Sequence, residues 1–231
     1  MARIRMRRLP LSLTVEVKAM TYEQGIVLTD KQWSSLSDEA KIQVLQAIEN
    51  HAAFEAGRLN CPVVGKFLYT GNDGVVLGTY DPQSKVIYVN SSQFDAESKY
   101  GKTSETLVTT CLHEGRHAYQ HQVVDGIITH SDRAEAEGWK DNLSDGNYIS
   151  FKENPRAYYN QPVEVDARRF AEEKYAELVT ERQKLIDAEK VEQSQRSVFE
   201  RQLSSDHSAS YQRAPDVDHS AKEANGLSAS H

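Results

Sequence analysis

With 231 residues, of which 39% are hydrophobic and 26% charged, the chain has room for one ordinary domain and little for a second. A net charge of −7 argues against a general nucleic-acid binder, because phosphate contacts need clustered Lys and Arg. No stretch approaches the roughly 18 consecutive apolar residues of a membrane helix. The two cysteines, Cys61 and Cys111, form neither a CxxC pair nor a disulfide framework, which favours a reducing compartment.

Residues 1–29 read as a basic leader with a short strand. Arg3, Arg5, Arg7 and Arg8 precede Leu9, Leu11, Leu13 and Val15, but Pro10, Ser12, Thr14 and Glu16 interrupt the apolar residues. The apolar core of a secretory signal, usually about 7–15 residues, therefore does not form, and the alternation from Leu9 to Val17 predicts a strand. A helix is expected over Asp30–Gly57, where Leu36, Ala40, Val44, Leu45, Ile48, Ala52 and Ala53 recur at three and four. Three β-rich runs follow, Val63–Tyr69, Val75–Tyr80 and Lys85–Val89. They are separated by Gly71-Asn72-Asp73-Gly74 and Asp81-Pro82-Gln83-Ser84, and read as an antiparallel meander. A second long helix should begin at Ser104, as N-cap, and run to about Val124. After a short helix around Arg133–Leu143, a third long one should start at Gln161-Pro162, where proline suits a first turn. The main domain is thus placed at 30–190. Apolar residues thin out past Ala188, and from Ser204 the chain is mostly Ser, His, Asp, Ala and Gln. Residues 191–231 are accordingly expected to form a polar, disordered tail.

The chemistry concentrates in His113-Glu114-Gly115-Arg116-His117, an HExxH pattern on the second long helix. Four residues are just over one helical turn, so both imidazoles project from one face and can share a metal ion. Glu114 falls beside that ion, placed to take a proton from bound water. Zn²⁺ suits imidazole and carboxylate ligands, and a catalytic zinc commonly takes three protein ligands. The best third ligand is Glu164 on the third long helix, with Asp166 the next choice. Tyr158, Tyr159 and Arg116 are candidate transition-state stabilisers, because such sites use Tyr, His or Arg against the developing oxyanion. The plainer alternative for the motif is two surface histidines on an amphipathic helix. His121, one turn beyond His117, is too far along the axis to ligate.

The phrases His113-Glu114-Gly115-Arg116-His117-Ala118-Tyr119-Gln120 and Gln161-Pro162-Val163-Glu164-Val165-Asp166-Ala167 resemble zincin metallopeptidases with a glutamate third ligand (HExxH…E). In particular they look like the metallopeptidase domains of bacterial polymorphic toxins and effectors, over roughly Trp33 to Leu178. The resemblance implies an α+β, zincin-like fold, with a short mixed or antiparallel sheet packed on the HExxH helix and a later helix carrying the third ligand. It also implies a zinc-dependent peptidase acting on a protein or peptide, made in a bacterial cytoplasm and delivered as an effector, with an inhibitor or immunity protein as partner. Neither a nucleic-acid nor a membrane partner is expected. One departure matters. Thermolysin-like members carry an acidic residue four positions after the ligand glutamate to orient a zinc histidine, and Arg168 stands there. That orienting role must then pass to another group, with Asp166 the first suspect. The rival functions are a catalytically silent binding protein on the same fold and a hydrolase of non-peptide amides.

Overall fold

The computed structural model describes residues 22–26, 30–69, 76–95 and 97–211. The strand expected over residues 9–17 and the polar residues beyond 211 lie outside them. The chain divides into two units, one ending at Leu185 and the other beginning at Ile186.

In chain order the first unit contains α1 (Tyr22–Ile26), α2 (Asp30–Ser34), α3 (Asp38–Glu55), β1 (Val63–Lys66), β2 (Gly78–Asp81) and β3 (Val86–Asn90). These are followed by α4 (Ser104–Val124), α5 (Arg133–Asn142), α6 (Pro155–Asn160) and the start of α7 (Pro162–Tyr211). The class is α+β, with a small sheet and mostly helices. The single helix expected from Asp30 is broken after Ser34. Ser37 is extended and its Oγ accepts from the Ala40 N–H at 3.2 Å, so a side-chain cap starts α3 anew. The cap of α4 is Thr103 rather than Ser104, its Oγ1 accepting from Thr106 N at 3.2 Å.

The sheet corrects the meander. Its order is β1-β3-β2, with β1 parallel to β3 and β2 antiparallel to it. Only the second turn makes a hairpin. There Asp81 accepts from Gln83 N and Ser84 Oγ, and Lys85, at φ 58°, returns its N–H to Asp81 O. The first turn-forming run lies outside the described residues, and the strands on either side of it, β1 and β2, both pair with β3 rather than with each other. Strand β3 takes the centre because Ile87 and Val89 are both fully buried. Asn90, also fully buried, ties down both ends of the connection between β1 and β2. Its Nδ2 donates to Leu68 O at 3.1 Å and Val76 O at 2.8 Å, and its Oδ1 accepts from Leu68 N.

The main core joins Val44, Leu45 and Ile48 of α3 to Ile87 and Val89 of β3, to Leu107, Cys111 and Leu112 of α4, and to Ala171 and Leu178 of α7. A smaller apolar cluster of Tyr119, Trp139 and Val163 fastens α4, α5 and the start of α7 together. Beneath α4 lies a sealed ion pair. Arg58 Nη1 and Nη2 donate to the two Glu49 oxygens at 2.7 and 2.6 Å, and Glu49 also accepts from Cys61 N.

In the second unit α7 continues as helix to Tyr211, where the sequence suggested disorder from 191. Residues 191–211 contain no Gly or Pro, and local bonds such as Arg196 Nη2 to Glu192 at 2.6 Å and Gln193 to Glu189 at 3.2 Å line the turns. Scarce apolar residues rule out a core of its own, not helical backbone. No helix among the described residues is long and apolar enough to cross a membrane.

Candidate metal centre

Helix α4 turns Leu107, Cys111, Leu112 and Ala118 into the core. That orientation leaves His113 and His117, one turn apart, on a flank that is only partly covered, with side chains 18% and 15% exposed. Glu164 arrives from the first turn of α7, which Pro162 opens and Val163, fully buried, anchors. Its carboxylate is 1% exposed. His113 Nε2 lies 3.1 Å from His117 Nε2 and 3.2 Å from Glu164 Oε2, and His117 Nε2 lies 3.5 Å from Glu164 Oε1. Among the described residues this is the one group of three His, Cys, Asp or Glu side chains whose ligand atoms converge.

The donor set fits a small divalent cation. Two atoms each about 2.0–2.1 Å from a tetrahedral ion are about 3.3 Å apart, which is the spacing of this triangle. Two imidazoles and one carboxylate are also a usual set for catalytic zinc. The triangle would occupy three positions and leave the fourth toward the cleft.

Glu114 faces the sheet. Its Oε2 accepts from the Tyr80 N–H of β2 at 2.7 Å. β2 comes this close because residue 78 is glycine: a Cβ there would sit 2.7 Å from Thr110 Cγ2 and 3.3 Å from Glu114 Cγ. Burial pushes the Glu114 carboxyl up to about 7, against the opposing pull of His117 and the Tyr80 N–H. Burial acts in the same direction on Glu164, but the hydrogen bond from His113 and the charge of His117 hold its carboxyl below the ordinary range.

A cleft of about 750 Å³ opens on the triad, with His113, Glu114 and Glu164 in its floor. Its walls include Tyr69, Val76 and Leu77 from the connection pinned by Asn90, and Phe151, Tyr158 and Tyr159 from the chain around α6. The walls also carry the charged Glu105, Lys152, Arg168 and Glu172, so the cleft is mixed, apolar in part and charged in part.

The other expected site residues fall differently. Tyr158 lines the cleft; burial, and then the Glu164 charge, push its hydroxyl far up. Tyr159 lines the cleft half-exposed, with its carbonyl accepting from Arg168. Arg116 does not line the cleft. Its Nε and Nη2 donate to the two Asp166 oxygens at 2.7 and 3.1 Å, and its guanidinium lies over the rings of Tyr119, Trp139 and Phe170. With its charge balanced and its faces covered, it is a packing and pairing residue rather than an oxyanion donor. Asp166 is accordingly turned away from the triad, and Glu164 is the carboxylate that converges with His113 and His117. His121 packs against Tyr80, outside the triad.

Two residues at the site were not singled out by sequence reasoning. Tyr148 donates from its hydroxyl to Glu164 Oε1 at 3.0 Å, and sits in an aperiodic loop where no spacing could select it. Gln120 lies 2.8 Å from His117 Nδ1 through Oε1. A signal for it did exist: position i+3 on the ligand helix places a side chain beside His117.

Comparison of the chain with protein-family models, with curated proteins and with solved structures finds no match in any of the three.

Proposed function

We propose that this chain is a zinc-dependent hydrolase of peptide bonds, with a zincin-like arrangement of its active site. The observation that carries the reading is the triangle of His113 Nε2, His117 Nε2 and the Glu164 carboxylate, closed to 3.1–3.5 Å, beside a carboxylate that is not part of it. When bound there, zinc supplies Lewis acidity and a water acidic enough to be deprotonated near neutral pH.

The protein's own residues account for the rest. His113, His117 and Glu164 hold the ion, and Tyr148 fixes the Glu164 carboxylate. Glu114, held by Tyr80 N–H, takes the proton of the attacking water and passes it to the leaving amine. A carboxylate surrounded by apolar packing is a better base for that exchange than an exposed one. Tyr158 and Tyr159 stand in the cleft wall, and their hydroxyls are the candidate donors to the oxyanion of a substrate carbonyl, Glu164 being held by Tyr148. The mixture of aromatic and charged residues in the walls suits a polypeptide with both bulky and charged side chains. The effector role, with an immunity protein as partner, rests on the resemblance of the two sequence phrases.

The test is zinc content by elemental analysis together with cleavage of a broad protein mixture. Wild type should hold about one zinc per chain and cleave. Glu114→Gln should keep the metal and lose about 10²–10⁴ in rate. Absence of stoichiometric zinc in wild type, or undiminished cleavage by Glu114→Gln, would sink the reading.

A further inference from the structure

A carboxamide has two N–H donors on one end and an acceptor oxygen on the other, and the surroundings of Gln120 decide which end is which. Its side chain is fully buried. Nε2 lies 2.9 Å from Val163 O and 2.8 Å from Asp166 Oδ2. A peptide carbonyl can only accept. Asp166 can only accept as well, because two guanidinium groups hold it ionised, Arg116 at 2.7 and 3.1 Å and Arg169 at 2.9 Å. A flipped amide would set its oxygen against both of these oxygens, so the orientation has no alternative.

The amide oxygen therefore faces His117 Nδ1, 2.8 Å away, and must accept there. Nδ1 then carries the hydrogen of the neutral ring, and the lone pair of Nε2 points into the triangle with His113 and Glu164. We propose that Gln120 is the positioning residue of the metal centre: it holds His117 in the Nδ1–H tautomer and its ring plane on the metal. The inference rests on the reading of the triad as a metal site. It also supplies the orienting group that Arg168 cannot, from α4 itself rather than from α7.

This arrangement differs in charge from the carboxylate that usually backs a zinc-bound histidine. Gln120 passes the field of Asp166 to His117 through a neutral amide, while the Asp166 charge is balanced by two arginines. Glu164 is thus the one formal negative charge placed directly among the ligands. A glutamate at 120 would fail here, since its carboxylate would face Asp166 Oδ2 and Val163 O at under 3 Å with no hydrogen to share.

The test uses the full chain with ¹⁵N-labelled histidine, in metal-free and zinc-loaded forms at about pH 8, where imidazole is neutral. In metal-free wild type the His117 ring should be the Nδ1–H tautomer. In Gln120→Met that restriction should disappear, and zinc affinity in competition with a chelator should fall about 10–100-fold, with cooperative melting retained. Gln120→Glu should be worse than Gln120→Met in stability. An Nε2–H tautomer in wild type, or undiminished zinc affinity in Gln120→Met, would overturn the proposal. Should Gln120→Met fail to fold, the wild-type tautomer still decides. A wild type that takes up no zinc would refute the metal reading instead, and the tautomer of that metal-free protein would still judge the role of Gln120.

Discussion

Glu49–Arg58 and Asp166–Arg116 are both two-bond arginine–carboxylate pairs set against α4, one on each side of the motif residues Gly115 and Arg116. The first is closed. Its side chains are 2% and 1% exposed, and its remaining bonds go to the backbone at Leu59 and Cys61. The second is branched. Asp166 also binds Arg169 and Gln120, and through Gln120 it reaches His117. The same ion-pair chemistry thus fixes where the ligand helix lies in one case and how a ligand ring is turned in the other. A pair whose bonds all return to the scaffold sets position, and a pair with an outgoing bond sets orientation.

The comparison breaks most visibly at Arg58. Arg58→Met leaves Glu49 buried and charged without its partner, which should cost about 3–5 kcal/mol in a urea melt. If the pair acts on position alone, the variant that remains folded should bind zinc with nearly wild-type affinity. Gln120→Met should show the reverse pattern, with a larger loss of affinity than of stability. Zinc affinity falling equally in both would show that the two pairs are not separable.

The reach of the sequence follows the same division. The spacing of His113, Glu114 and His117 and the proline-led start of α7 were legible because each depends on helical period, and the helices carry His113, His117 and Glu164 into one triangle with Glu114 beside it. The candidate Arg116 was misplaced because residue type reveals a charge but not its partner. The partner, Asp166, lies on another helix, and that same bond turns its carboxylate away from the two histidines. The parallel β1–β3 pairing was hidden because two turn-forming runs look alike in sequence. Only the second is followed directly by the strand that pairs with the one before it; β1 finds its partner in β3, not in the next strand. The helix past residue 191 was missed because low apolar content was read as loss of structure rather than as loss of a core.

Gly115 connects the motif to the closed pair and offers the next test. A Cβ at 115 would sit 2.7 Å from Glu49 Oε2 and 2.9 Å from Arg58 Nη2. Such atoms usually yield at the end of a flexible side chain, but here both are locked in the buried pair. Overpacking of this kind costs about 1–3 kcal/mol, offset by about 1 kcal/mol of helix propensity. Gly115→Ala should therefore be destabilised by up to about 2 kcal/mol in thermal or urea melts. Combined with Arg58→Met its effect should shrink, because Glu49 is then no longer locked and its carboxylate can yield. Full additivity of the two changes would show that the glycine is not there to admit the ion pair.

Gly138 gives the smallest expected effect and the control for that argument. It sits inside α5, and an added Cβ would meet nothing within 4 Å. With no obstacle, the balance is set by the backbone: glycine has more freedom to lose on folding than alanine, and alanine is the better helix former. Gly138→Ala should therefore stabilise the protein, by about 0.4–1 kcal/mol, and leave zinc affinity unchanged. The two glycines are then opposite in sign under one and the same substitution, and the difference lies in what surrounds the missing methyl. Equal stabilisation at both positions would mean that the Glu49–Arg58 pair moves aside freely. The helix would then be positioned by its apolar face alone, through Leu107, Cys111 and Leu112.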